Sequence, residues 1–483
     1  MARGRGVTAL PGGAWARAGQ CCPCSVHAAC SSCRLRRCPL QACRSPWGSE
    51  QTGRSVGPGC CPGSSTTVGM TMTSLLGLGL RLGLLLAGLV PLQGLLEPGL
   101  APWHPGVLRE RKAAQELARR NTAFGLKLFR KLVAHDSGGN VFFSPFSISM
   151  AFAMLSLGAQ DSTLAEIREG FLFGGLSDRA LHEGFSHLLR QLEQSGPDLS
   201  LALQNALFID HKLRPQPQFL TDAKRLYGAD TVPADFHNME ATARQVNDYV
   251  SQKTHGKITD LVRSVAPGTV MLLVNCIFLQ AKWKHEFDPK ETRQEDFFLS
   301  TNRSVKVEMM SRRGEYQVGH NDQLSCSVLE MPYEGDVTVT FILPDEGKME
   351  QVERAMGLDA WDGLMVSCVK RVVDVFVPKF TITGSYDLKR TLSYMGVSKI
   401  FEEQGELTGI SPHRSLKVGK AVHKAKLKMD ERGVEVAAGT GAQTLPMETP
   451  VTYKLNRPFL MILSDKTMQS VLFLGKLANL SGK

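Results

Sequence analysis

Met429-Asp-Glu-Arg-Gly-Val-Glu-Val-Ala-Ala-Gly-Thr-Gly-Ala-Gln-Thr-Leu-Pro-Met-Glu-Thr-Pro-Val-Thr452 has two incompatible characters. From Gly433 to Ala442 almost every side chain is small, so the run offers little to anchor it in a core and suits an exposed loop. The same residues also fit a strand. Val434, Val436, Ala438 and Thr440 share one face at period two, and Glu435 points the other way. A strand of that kind could slide between existing strands without burying a charge on its inner face. The residues alone leave two readings open, a connection with no role and a loop competent to become a strand.

Upstream of this stretch the chain changes texture near residue 265. Residues 110–134 carry Leu117, Phe124, Leu128 and Leu132 at multiples of three or four, which predicts an amphipathic helix. Asn140-Val-Phe-Phe-Ser-Pro reads as a strand running into a helix over Ser147–Leu157, with Ser144 as cap and Pro145 at the first helical position. Further helices are expected at 161–170, 177–194, 215–227 and 239–253. After 265, short apolar β-rich runs dominate: Val270–Phe278, Ser304–Met309, Cys326–Met331, Val337–Leu343, Val372–Val377, Val451–Leu455, Phe459–Leu463 and Ser470–Gly475. Helices first and strands later predict an α+β fold with large mixed or antiparallel sheets.

Composition narrows the function classes. The chain has 483 residues, 43% of them apolar and 21% charged, which is ordinary for a globular protein. Its net charge of +10 invites a nucleic-acid reading. Residues 1–69 account for +7 of that, with eight Arg and one acid, Glu50, whereas residues 94–483 carry 47 basic and 45 acidic side chains. The body is therefore nearly neutral, and no nucleic-acid partner is expected. Cysteine is as uneven, with nine of twelve between Cys21 and Cys61. Cys276, Cys326 and Cys368 are too few for a disulfide framework in the body. Cys21/Cys24 and Cys30/Cys33 lie too close together for a zinc ribbon, so no metal is expected.

Residues 1–69 form an atypical Cys/Arg-rich leader, expected to be disordered or not translated. Residues 70–94 resemble a signal peptide: a Leu/Gly-rich run from Leu75 to Val90, with Arg81 inside it, ends at Pro91. The run is short for a membrane span. Residues 95–109 are expected to be a flexible tail, and 110–483 one domain. The chain is expected to be secreted and monomeric. Enzyme signatures fail: there is no GxSxG elbow, P-loop or GxGxxG. His182-Glu183 opens a zincin-like pattern, but the next histidine is His187, at the wrong helical spacing for two ligands.

Over residues 110–480 the sequence resembles the serpin family. The motifs are Asn140-Val-Phe-Phe-Ser-Pro-Phe-Ser-Ile-Ser149, Asn205-Ala-Leu-Phe-Ile209, Val246 through Ile258, Asn275 through Trp283-Lys284, Val377-Pro-Lys-Phe380, Tyr386-Asp-Leu-Lys389, Val422-His-Lys-Ala425, Asn456-Arg-Pro-Phe459 and Val471-Leu-Phe-Leu-Gly-Lys476. The antitrypsin-like clade is the nearest in pattern. The resemblance implies three β-sheets, eight to nine helices and an exposed reactive-centre loop at about 431–452. It implies an inhibitor, not an enzyme. A serine protease attacks the loop, forms an acyl-enzyme, and is trapped when the loop inserts into the central sheet.

Residue roles follow from the same resemblance. The hinge falls on Glu431, Gly433, Val434, Glu435, Val436, Ala437 and Ala438, and the scissile bond on Met447–Glu448. No Lys or Arg occurs from Gly433 through Tyr453, and unbranched Met447 suits an apolar specificity pocket. The expected partner is a chymotrypsin-like serine protease, with kallikrein-type enzymes leading. Val434 and Val436 stand where inhibitors mostly carry Thr or Ser and Ala. Ser144, Ser147, Asn275 and His423 match the shutter, a polar cluster beneath the sheet, and Trp283 and Lys379 match the breach, where the loop first enters. Lys257, Lys282, Lys284, Lys428 and Arg432 are expected to hold any heparin-like glycosaminoglycan, the only accessory ligand implied. Glycosylation sequons stand at Asn302 and Asn479.

Overall fold

A computed structural model describes residues 105–194, 199–413, 416–432 and 451–481. Nine α-helices occur among the described residues: α1 (Pro105–His135), α2 (Pro145–Ser156), α3 (Asp161–Gly170), α4 (Asp178–Glu193), α5 (Pro217–Tyr227), α6 (Met239–Lys253), α7 (Met349–Ala355), α8 (Leu358–Val366) and α9 (Leu388–Ser393). The strands are β1 (Val141–Phe143), β2 (Leu199–Asp210), β3 (Asp230–Ala234), β4 (Met271–Ala281), β5 (Arg293–Ser300), β6 (Arg303–Asn321), β7 (Cys326–Pro332), β8 (Val337–Pro344), β9 (Val369–Pro378), β10 (Phe380–Asp387), β11 (Lys420–Met429), β12 (Val451–Lys454), β13 (Phe459–Asp465) and β14 (Ser470–Leu477).

The local signals behave as their chemistry requires. Ser144 caps α2, its hydroxyl accepting from the Ser147 N–H at 3.0 Å, and Pro145 opens the helix. The first helix starts at Pro105, so residues 105–109, expected to be tail, are helical. Proline suits a first helical turn, where its missing N–H costs no bond. The expected order of helices before strands needs a larger correction. β2 and β3 both precede α6 in the chain, and β2 is one of the longest strands of the molecule.

A five-stranded sheet runs in the order β10-β11-β4-β2-β3. The other strands form one hydrogen-bonded network, β1-β14-β13-β8-β7-β6-β9-β12, with β5 also on β6. Two of the three expected sheets meet there, because the 19-residue β6 serves both. Its first part pairs with β5 and its last part with β7.

The five-stranded sheet is buried on both faces. Odd-numbered residues of β4 and β11, such as Leu273, Ile277, Ala425 and Leu427, join the main core. Even-numbered ones, such as Val274, Cys276, Phe278 and Val422, meet Val246 and Val250 of α6 and Ile258, Leu261 and Val262 of the segment after it. Near-continuous burial of β4 reflects this double cover.

Candidate functional site: the β4–β11 seam

Within the five-stranded sheet β2·β4 and β10·β11 are antiparallel, whereas the edge pair β2·β3 and the central pair β4·β11 are parallel. Their register runs from Lys420↔Leu272 to Leu427↔Leu279 with no strand between them. A parallel neighbour pair flanks a position that one further strand could fill antiparallel to both. The chain leaving the end of β11 is the segment placed to fold back in that direction.

The polar cluster beneath the seam is built on one sheet rung. Tyr386 of β10 faces His423 of β11, His423 faces Asn275 of β4, and Asn275 faces Asn205 of β2. The Asn275 amide nitrogen donates to Asn205 Oδ1 and Ser147 Oγ at 2.6 Å each, and to the Ser147 carbonyl at 3.0 Å. The Ser144 N–H donates to His423 Nε2 at 3.1 Å, which leaves Nδ1 to carry the proton and donate to Asn275 Oδ1. His423 is fully buried, and burial pulls its pKa from 6.5 to about 3, so the ring is neutral. All four residues expected in the shutter meet in this one network.

Two members were missed as site residues. Asn205 closes the far end, and its own amide nitrogen has no hydrogen-bond partner. Tyr386 closes the near end: its ring lies parallel to His423, 6.4 Å between centroids, and its hydroxyl accepts from the Phe142 N–H. At Gly384, two residues earlier, an added Cβ would sit 1.7 Å from the Phe142 carbonyl oxygen, so only glycine fits this strand crossing.

At the hinge end of β11, Glu431 is 8% exposed. Lys379 Nζ lies 3.1 Å from its Oε2, and Thr292 Oγ1 donates to its Oε1 at 3.0 Å. The Phe287 N–H donates to its carbonyl oxygen at 2.9 Å. Burial alone would raise the carboxyl pKa. Its own backbone bond, Lys379 and Thr292 together bring it below the ordinary glutamate value. Lys379 is correspondingly raised: burial opposes its charge, and Glu431 together with Glu308 and Asp430 outweighs that effect. Trp283 stacks on Tyr333 at 4.2 Å, and its indole N–H donates to the Asp430 carbonyl at 2.8 Å. The two expected breach residues thus hold consecutive residues, Trp283 the carbonyl of Asp430 just before the hinge and Lys379 the carboxylate of Glu431.

Gly433, Val434, Glu435, Val436, Ala437, Ala438, Met447 and Glu448 lie outside the described residues, as do residues 1–104, including the leader and the signal-like run. The basic positions expected to hold glycosaminoglycan lie after α6 (Lys257), just past the end of β4 (Lys282, Lys284) and at or beyond the end of β11 (Lys428, Arg432). Lys428 pairs with Asp430 at 2.7 Å, Lys282 lies 3.9 Å from Glu286, and Lys257 Nζ sits 5.6 Å from the Phe278 ring centroid. Arg432 follows the latched Glu431, and Lys284 donates its N–H to the Pro332 carbonyl. Asn302 is exposed at the β5–β6 turn. The Asn479 side-chain oxygen accepts from both the N–H and the hydroxyl of Ser481, the third residue of its own sequon. Among the described residues no cluster of three metal-ligating side chains occurs, and no helix is long and apolar enough to cross a membrane. Cys276 and Cys326 are buried thiols, each pushed up to about 12 by burial.

The comparisons with known proteins agree with this architecture. Serpin A12 (vaspin) of Homo sapiens is 54% identical over 410 residues, spanning 84% of this chain and 99% of that protein. Alpha-1-antitrypsin of Sus scrofa is 38% identical over 381 residues, spanning 78% and 90%. Among solved structures, human glycosylated kallistatin matches with a TM-score of 0.71 at 36% identity, over 77% of this chain and all of that one. Human thyroxine-binding globulin in complex with thyroxine matches with the same TM-score at 35% identity and the same coverage. The family model for serpin (serine protease inhibitor) matches residues 119–480. A parallel seam, a polar rung beneath it and a latched hinge above it are thus carried by a chain that belongs to the serpins, a family of serine protease inhibitors rather than enzymes.

Proposed function

We propose that the protein is a secreted suicide inhibitor of a chymotrypsin-like serine protease, with a kallikrein-type peptidase as its leading target. The carrying observation is the direct parallel pairing of β4 and β11 next to a chain that leaves β11 through the latched Glu431. The protease serine attacks the Met447 carbonyl carbon, the Met447–Glu448 bond breaks, and the Glu448 nitrogen leaves with a proton. The freed segment 433–447 then enters the seam as an antiparallel strand and carries the acyl-enzyme with it. Deacylation must lose that race for inhibition to succeed. Secretion would rest on cleavage of the 70–94 segment, with Asn302 as the sequon open to glycosylation. Lys257, Lys282, Lys284, Lys428 and Arg432 would offer a heparin-like chain its accelerating contacts, and the inhibitor would act as a monomer.

A second reading, carriage of a small hydrophobic hormone or action as a ligand, draws on the likeness to thyroxine-binding globulin, whose structure holds thyroxine. The uncharged inner face of Val434, Val436 and Ala438 favours insertion instead. Mixing the secreted protein with a chymotrypsin-like and a trypsin-like protease separates the two readings. A denaturant-resistant covalent band with the first protease only, lost in Met447→Pro, is the expected result. Cleavage at Met447 with no such band would remove the inhibitor reading.

A further inference from the structure

A cleft of about 830 Å³ lies where the end of α1, the start of β1, the end of β10 and α9 come together. That volume falls within the range of small-ligand sites, about 300–1,000 Å³. Its apolar wall is made by Leu132, Val141, Tyr386 and Tyr394. Leu132 and Val141 are buried, whereas Tyr394 is 76% exposed, an aromatic face with no cover.

The polar rim is unevenly satisfied. Its two acids are turned to backbone: Asp136 Oδ1 accepts from the Gly139 N–H, and Asp387 Oδ1 accepts from the Lys389 N–H as the cap of α9. Its cations have no such outlet. Among the described residues neither Lys389 nor Arg390 has a carboxylate partner, and the Arg390 guanidinium rests against the His135 ring, at 3.3 Å from Nδ1 and also against Nε2. An arginine whose only partner is an imidazole lacks the planar two-oxygen acceptor its five N–H groups favour. The unmet chemistry of the cleft is therefore one anionic fork acceptor beside an aromatic wall.

We propose that this cleft binds a small aromatic carboxylate, its carboxylate on Arg390 and its ring against Tyr394 and Tyr386. The site is independent of the reactive loop and of the inhibitory reading. It touches the seam, because Tyr386 forms the end of the polar rung through His423. An occupant would hold Tyr386 against β1 and should raise the thermal midpoint of the intact protein.

The probe is 2-naphthoate, titrated calorimetrically into the full chain beside its neutral analogue 2-naphthalenemethanol. Saturable one-to-one binding of the naphthoate is expected, with the alcohol weaker by about tenfold or more. Arg390→Gln should cost the naphthoate a similar factor, and Tyr394→Ala a smaller one. Both side chains are exposed, and an unchanged thermal midpoint without ligand will show that each variant is folded. The alcohol comparison needs no substitution at all. Equal affinity for acid and alcohol, indifference to Arg390→Gln, or no saturable binding would each overturn the proposal. Displacement of naphthoate by equimolar inorganic phosphate would also overturn it, by reducing the site to a bare anion contact.

Discussion

His423 shows how much one side chain can settle. It is held neutral by burial, and its two ring nitrogens have opposite duties, one accepting from Ser144 and one donating to Asn275. The pH consequence follows from the lowered pKa. An unfolded chain takes up a proton near pH 6.5, whereas the folded one does not until about 3. The unfolded state therefore binds more protons in that window, and stability must fall as pH falls from 6.5 toward 3, at about tenfold in the folding equilibrium per pH unit. His423→Gln can keep one donor and one acceptor but cannot titrate in this window. Thermal midpoints at pH 7.5, 6 and 5 should drop less steeply in the variant than in the wild type. Equal slopes in the two proteins would sink this assignment.

The residue scale also shows where sequence reading stops. Ser144 was legible as a cap from Ser-Pro alone. The roles of Asn275 and His423 came only with the family resemblance, because their partners lie 128 and 279 residues away in the chain. Asn205 and Tyr386 stand within the family motifs, but no local pattern marks a role for either. Their part arises from cross-strand register, which no local pattern records.

At the scale of elements, the seam turns the unusual loop composition into an energetic question. Val434 and Val436 stand where smaller or hydroxyl-bearing residues are expected in inhibitors. Each would enter between two strands already packed in the core, and an extra pair of methyl groups there can cost about 1–3 kcal/mol. Slower insertion leaves more time for deacylation. Val436→Ala should therefore lower the number of inhibitor molecules consumed per protease trapped, measured by titration against a fixed amount of enzyme. An unchanged or higher stoichiometry would show that valine fits the seam without strain. Element boundaries were legible wherever the period was strong. The α3 and α6 spans, 161–170 and 239–253, match their helices residue for residue. β11 went unread as a strand, although Lys420, Lys424, Lys426 and Lys428 alternate with Ala421, His423, Ala425, Leu427 and Met429. A lysine at every second place is unusual for a central strand; here Lys420 and Lys426 are half-buried, Lys424 is buried and Lys428 is exposed. β3 and β5 are polar or short edge strands, and such strands carry little hydrophobic signal.

For the whole molecule, a β4·β11 seam that the loop could part and enter would mean that the folded state is not the one with the most sheet pairing. One more strand in the seam would replace the β4·β11 row of backbone hydrogen bonds by two, a net gain of one row, and bury the inner face of the loop. Cleavage within the loop should accordingly raise heat resistance rather than lower it. The intact protein is expected to melt in the ordinary range of about 45–65 °C, and the loop-cleaved protein to remain folded beyond about 90 °C. Calorimetric scans of both forms check this, and coincident midpoints would mean that the cut loop stays outside the sheet.

The segment following α6 adds a directional element to that transition. It lies across both strands of the seam, and three lysines of β11 reach up to it. Lys426 donates to the Lys257 carbonyl, Lys424 to the Asp260 carbonyl and carboxylate, and Lys420 to the Ser264 carbonyl. The contacts occur in reverse order along the two segments, with Lys426 nearest the hinge. A strand arriving from the hinge meets them one by one, like the teeth of a fastener drawn from one end. Each tooth released is a small barrier, and no single step has to break all three. A covering segment of this kind would therefore yield to an entering strand in small steps, like a row of fastenings undone in turn, rather than in one concerted break.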